Sequence, residues 1–131
     1  MSASALELPS VLRLSGLRPV RTAREHAAVR ARAVGVNADD VAEVVGELAT
    51  NAFVHGHPTS PVLVTTHLAG PLFWVTVLVR QAPVELPRPV VDPDAESGRG
   101  LLITHALTSA FRCERRQGGY QAFVAGFAVP P

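Results

Sequence analysis

A two-layer α/β sandwich with a mostly antiparallel sheet is the fold class this sequence predicts. Three observations predict it. Apolar residues recur at helical spacing in two adjacent stretches early in the chain. Two pairs of β-type runs follow, each pair joined by a short glycine-containing turn. The inferred order is strand, helix, helix, strand, strand, long loop, helix, strand, strand. Helices and strands neither alternate strictly nor segregate, so helices layered on one antiparallel sheet are the natural packing.

The segment Val11-Leu12-Arg13-Leu14, confined by Pro9 and Gly16, reads as an opening strand after an N-terminal extension of about residues 1–9. Val20, Ala23, Ala27, Ala31 and Val34 then recur every three or four residues. Pro19 suits the first turn of that helix and Gly35 its C-terminal cap. Asn37 can cap a second helix, with Asp39 and Asp40 favourably placed in its first turn. Its apolar stripe is Val41, Val44, Val45, Leu48 and Ala52, and it ends near Gly56. Pro61–Leu68 and Leu72–Arg80 form a hairpin across Ala69-Gly70-Pro71. Residues 82–97 hold Pro83, Pro87, Pro89 and Pro93 with Asp92, Asp94 and Glu96. A stiff loop of that length in so small a domain points to function. Ser97-Gly98-Arg99-Gly100 opens a third helix, and Phe111–Gln117 and Tyr120–Val129 form a last hairpin at Gly118-Gly119.

The chain of 131 residues fits one domain, 1–131, and its 47% hydrophobic and 18% charged content excludes disorder. No apolar run approaches the roughly 20 residues needed to cross a bilayer, and no leader opens the chain, so a cytoplasmic protein is expected. The net charge is +1, which argues against broad capture of nucleic acid or of a membrane surface. All 12 cations are Arg, so no lysine amine is available for chemistry. The single cysteine, Cys113, excludes an internal disulfide and a cysteine-cluster metal site.

Two constellations carry chemistry. Glu43, Glu47, Asn51 and His55 follow one another at four-residue steps on the second helix, each step rotating about 40°, so Glu47 and Asn51 sit side by side at the border of the apolar stripe. A carboxamide oxygen can ligate Mg²⁺, which prefers hard oxygens, and the neighbouring carboxylate can orient or deprotonate a nucleophile. An ordinary amphipathic helix with a polar border explains the same spacing. The second constellation is Gly98-Arg99-Gly100-Leu101, where glycines and free N–H groups at a helix start suit an anion; a junction that merely needs conformational freedom explains it equally well.

Taken together and in this order, the two stretches resemble known motifs. Glu47-Leu48-Ala49-Thr50-Asn51-Ala52-Phe53-Val54-His55-Gly56 resembles the N-box of the GHKL (histidine kinase-like) ATPase superfamily, nearest to the small anti-sigma-factor serine kinases of the SpoIIAB and RsbW type. Asp92-Pro93-Asp94-Ala95-Glu96-Ser97-Gly98-Arg99-Gly100-Leu101 looks like the glycine box closing their ATP lid. The resemblance runs from about Pro19 to Val129. It implies a mostly antiparallel mixed sheet covered on one face by three helices, and ATP or ADP with Mg²⁺ as ligand. Asn51 is then the magnesium ligand and Glu47 the general base. His55, Gly56, Gly98, Arg99, Gly100 and Leu101 fall at nucleotide-contacting positions, with residues 82–97 as the lid.

The departures from the family pattern cluster at the adenine end. The Asp that recognises the adenine amine is replaced by Gln81, and the small residue two places on by Pro83. The Lys-Thr of the last hairpin is replaced by Tyr120 and Gln121. A carboxamide can still accept from an exocyclic amine and donate to a ring nitrogen, without the stronger charged acceptor. Three outcomes therefore stay open: a kinase that phosphorylates a serine on an antagonist while binding a sigma factor, a catalytically degenerate module of the same fold that only docks a regulatory protein, or a detached ATPase subunit of a histidine-kinase system that needs a partner bearing the phosphoacceptor histidine. The resemblance implies a sigma factor or a STAS-type antagonist as partner, and a homodimer. His55-Gly56-His57 lacks the carboxylate or cysteine to complete a metal site. His67 and His105 are expected at or near the surface, Trp74 in the core, Arg115-Arg116 on a solvated strand edge, and Cys113 inward and inert.

Overall fold

The computed structural model describes residues 10–14, 19–57, 59–82 and 104–131. Strand β1 (Ser10–Leu14) precedes helices α1 (Pro19–Ala33) and α2 (Ala38–His55), followed by strands β2 (Val62–Ala69), β3 (Leu72–Arg80), β4 (Ala110–Arg116) and β5 (Tyr120–Ala128). Residues 104–107 are helical and are the described part of the expected third helix. The expected N-terminal extension, the lid-like loop from Pro83 onward and the start of the third helix, with Gly98, Arg99, Gly100 and Leu101, lie outside the described residues.

Local signals explain where the helices begin and end. Gly35 follows α1 at φ 78°, a conformation that a β-carbon disfavours, and the Val36 N–H donates back to the Ala31 carbonyl at 3.0 Å. Two residues later the Asn37 Oδ1 accepts from the Asp40 N–H at 3.1 Å and caps α2. Ala23, Ala27 and Ala31 are fully buried on α1, small enough for close approach to α2. The buried stripe of α2 is the expected one with Ala49 added.

The five strands lie in the order β1-β2-β3-β5-β4, every pair antiparallel. One row of the register runs Val64, Val77, Phe123, Cys113, and it faces the helices. The core forms there, between this face and the stripes of α1 and α2, with Phe73, Val75, Val77 and Val79 along the central strand. Directly opposed residues share a face, so Val79, Gln121 and Arg115 point the same way at the end of the sheet.

The other face corrects the expectation for Trp74. This residue is half-buried on the side away from the helices, where the Arg112 guanidinium lies 5.1 Å from its ring centroid. Its partner Gly126 makes room: a β-carbon there would come within 2.9 Å of the indole.

Candidate functional site

The end of α2 is pressed against the end of β3. The Gly56 N–H donates to the Ala52 carbonyl at 2.8 Å, and the His57 N–H donates to the Arg80 carbonyl at 2.7 Å. A β-carbon on Gly56 would stand 2.3 Å from the Ala52 oxygen and 2.5 Å from Val79 Cγ2, so no side chain fits between helix and strand. This junction, together with the β4–β5 turn, encloses an opening of about 380 Å³ lined by His55, Gly56, His57, Arg80, Gln81, Ala82, Arg115 and Gly119.

Gln81 is fixed there through its backbone. Its N–H donates to the Gly119 carbonyl at 3.2 Å, and its carbonyl accepts from Arg115 Nη1 at 2.6 Å. The same nitrogen lies 3.5 Å from Gln121 Oε1. The carboxamide oxygen of Gln81 is buried without a hydrogen-bond partner. An orphaned buried acceptor costs about 1–3 kcal/mol, a cost the fold carries at this point. Gln121 is buried beside Cys113, whose thiol is pushed up to about 11 by burial, against a smaller downward pull from the hydrogen bond to Gln121.

Glu47 and Asn51 stand half-buried farther up α2. Ala42 faces α1, and Glu47 and Asn51 lie about 140° and 180° around the helix from it. Four-residue steps carry the track Glu47, Asn51, His55 down α2, from a depression that Glu47 shares with α1 to the opening beside Gln81. Glu47 itself lines a separate, smaller depression of about 160 Å³ with Val20, Arg24, Glu43, Gly46 and Thr50. Gly46 allows that arrangement, since its missing β-carbon would lie 3.2 Å from Arg24 Cδ. The structure thus gathers His55, Gly56 and Gln81 into one opening, sets Gln121 behind it through Arg115, and keeps Glu47 apart, about 12 Å along the helix from His55.

Arg115 was not singled out by the sequence as a functional residue; it lies exposed on the edge strand β4 as expected, and its guanidinium also tethers the backbone of Gln81. A two-residue turn at Gly118-Gly119 would set Arg115 opposite Ala122, one position from its true partner Gln121, so counting along the sequence would not have found the pairing. Arg116 does lie outward, paired with Glu114 at 2.8 Å. Among the described residues no group of three His, Cys, Asp or Glu side chains is placed to hold a metal ion. Nor is any described helix long and apolar enough to cross a membrane. A larger groove of about 640 Å³ runs along the outer side of the helix pair, between Arg21, Arg24, Glu25, Val29 and Arg32 of α1 and Asp39 of α2.

The chain is similar in fold to the crystal structure of the RsbU and RsbW domains of Rv1364c from Mycobacterium tuberculosis, with a TM-score of 0.65 and 22% sequence identity. The match covers 95% of this chain and 33% of that chain, so the present sequence spans about a third of the length of the solved structure. No curated protein matches the chain by sequence. The model of the histidine kinase-like ATPase domain family matches residues 14–123, from the end of β1 into β5, and so takes in both helices, the opening and the Glu47–Asn51 flank. The chain belongs to the histidine kinase-like ATPase domain family.

Proposed function

We propose that this chain, acting as a single domain, is an ATP-binding regulatory protein of the anti-sigma-factor, serine-protein-kinase type, which works by partner switching. The observation that carries the reading is the opening at the end of α2, which Gln81 lines beside the close backbone approach at Gly56. Family membership implies ATP binding in general. The residues present fit a nucleotide whose base lies at Gln81 and whose phosphates extend along the flank of α2.

Bound ATP supplies the transferable phosphoryl group and Mg²⁺ the compensating positive charge. The chain's own groups have separable tasks. The Asn51 carboxamide offers Mg²⁺ a neutral oxygen ligand. The Glu47 carboxylate, one helical turn away, orients the serine hydroxyl of a partner and takes its proton. His55 and Gly56 form the wall of the base end, and Arg115 holds Gln81 in place. The proposed setting is the cytoplasm and the proposed partners are a sigma factor or a STAS-type antagonist, met by a homodimer. The exposed side chains of α1 beside the large groove are where partner choice would be read.

A second reading is favoured by one observation: among the described residues every charged side chain around the opening is basic, and Gln81 stands where the family resemblance expects an acid. On that reading the fold persists as a docking module without nucleotide chemistry. Calorimetric titration with ADP and a slowly hydrolysed ATP analogue, with and without Mg²⁺, separates the two. Magnesium-dependent binding in the micromolar range is expected, and Glu47→Ala should then abolish phosphoryl transfer to an antagonist while leaving nucleotide affinity intact. Absence of binding at millimolar nucleotide would leave the docking module as the function.

A further inference from the structure

The groove of about 640 Å³ along the outer seam of α1 and α2 lies apart from the opening at the end of α2. One face of α1 borders it from Arg21 to Arg32, about 16 Å along the helix. Ala28, Ala38 and Ala42 are too short to fill the space between the helices. Within that stretch three side chains have no task in the fold. Val29 is 61% exposed, although Ala27 and Ala28 beside it are buried. Arg24 and Arg32 make no hydrogen bond or ion pair with any described residue, whereas Arg21 is paired with Glu25 at 2.9 Å. The Arg24 Cδ lies 3.2 Å from the place of a β-carbon on Gly46, so the stem of this side chain is laid against α2. Arg24 and Arg32 stand about 12 Å apart along α1, with Val29 between them.

A single exposed valine or a single surface arginine is ordinary. The order cation, apolar, cation over two helical turns along an open groove defines a complement: two acidic groups with an apolar surface between them. A polyanion such as nucleic acid fits it poorly, because Asp39 and Glu25 border the same groove and the chain carries a net charge of only +1. An extended peptide fits poorly too. Both walls are helices whose backbone groups are bonded within themselves, so the N–H and C=O groups of such a peptide would be buried without partners. A helix brings its own backbone bonds and presents side chains at matching rise.

We propose that this seam seats one amphipathic helix of a partner protein, about three turns long, with its apolar stripe on Val29 and two acidic residues, about two turns apart, on Arg24 and Arg32. The proposal rests on the docking of a regulatory protein, which both readings above share. It deepens them by giving the docked segment a shape, a length and a charge pattern.

The test is fluorescence anisotropy of two labelled, helix-forming peptides titrated with the full chain. Both carry leucines every three or four residues. One has two glutamates about two turns apart beside that stripe, and the other has lysines in their place. The wild type is expected to bind the glutamate peptide about fivefold or more tighter than the lysine peptide. Arg32→Glu should abolish that preference, and Val29→Ser should weaken both peptides about threefold or more while leaving their ratio unchanged. Both residues are exposed on α1, so each variant is expected to fold, as a melting curve checks. Failure of the glutamate peptide to bind the wild type at millimolar concentration overturns the proposal, and so does a preference that a folded Arg32→Glu leaves unchanged. Two other occupants overturn it as well. A dimer in sedimentation velocity that both variants dissociate assigns the seam to a second copy, and a short DNA duplex that binds in place of the peptide and is weakened by Arg32→Glu assigns it to a polyanion. ADP titrated in parallel keeps the readings apart. Both variants should bind ADP as the wild type does, so peptide failure with ADP bound overturns the seam alone, and ADP failure with peptide bound overturns the nucleotide reading alone. Should Val29→Ser fail to fold, Arg32→Glu decides.

Discussion

The two ends of the flank of α2 are built differently. At the base end, main-chain groups are fastened in place: Gly56 to Ala52, His57 to Arg80 and Gln81 to Gly119 by backbone bonds, and the Gln81 carbonyl by the Arg115 side chain, all between 2.6 and 3.2 Å. At the other end, Glu47 and Asn51 are half-buried side chains on the surface of a helix, Glu47 in a depression shared with Val20 and Arg24 of α1. A base-binding wall is a question of shape, and shape is held by backbone. Proton transfer is a question of which functional group is present, and a helix can offer that group without being strained by it. Substitutions at the base end should therefore cost stability and ligand affinity together, whereas Glu47 should be separable from both.

Gly56→Ala is the strongest way to break this contrast. The added methyl meets backbone at 2.3 Å and Val79 at 2.5 Å, and neither is the tip of a flexible side chain. The expected cost is about 2–3 kcal/mol, seen as a lower urea midpoint and a melting temperature reduced by roughly 8 °C, with nucleotide affinity falling in parallel. Unchanged stability would mean that helix and strand can part at this point, and the base end would lose its claim to rigidity.

Asn37→Ala tests the same helix at its far end, roughly 27 Å from Gly56. Removing the cap on the Asp40 N–H should cost about 1 kcal/mol in urea unfolding while leaving the affinity for ADP unchanged. A loss of affinity comparable to that of Gly56→Ala would show that the site depends on the whole helix and not on its last turn.

Much of the scaffold was legible because its signals are local. Gly35 and Asn37 end one helix and start the next within three residues, and Gly118-Gly119 turns the last hairpin with φ of 77° and 79°. Strand ends differ from the expected ones by a single residue, as at Val62–Ala69 for the run read as Pro61–Leu68. The facing of Trp74 was not legible. Leu72 to Val79 is apolar at every position but Thr76, so alternation disappears and either face could have been the core. The partnership of Arg115 with Gln81 spans 34 residues and exists only once β4 and β5 pair beside β3. In the site, Glu47 and Asn51 were read from spacing within one helix. What joins His55 to Gln81 is the packing of two distant segments, which spacing does not encode.

The smallest effect is visible only in alkali, and it asks whether the wall behind Gln81 is dry. Cys113 lies half-buried beside Gln121, its thiol raised from 9.0 to about 11 mainly by desolvation. The native state thus keeps the proton where the unfolded chain has lost it. Unfolding releases protons in that window, so the stability owed to the neutral thiol is fully present below pH 9 and declines as pH rises from about 9 through 11. Urea midpoints for the wild type and Cys113→Ala, compared at pH 8, 9.5 and 10.5, isolate this group because other titrations are common to both proteins. The wild type should lose ground to the variant as pH rises, and its native thiol should alkylate slowly at pH 8. A difference independent of pH would place solvent at Cys113 and hence at Gln121. The base end would then be as wet as the flank at Glu47, and the contrast between the two would rest on hydrogen bonds alone.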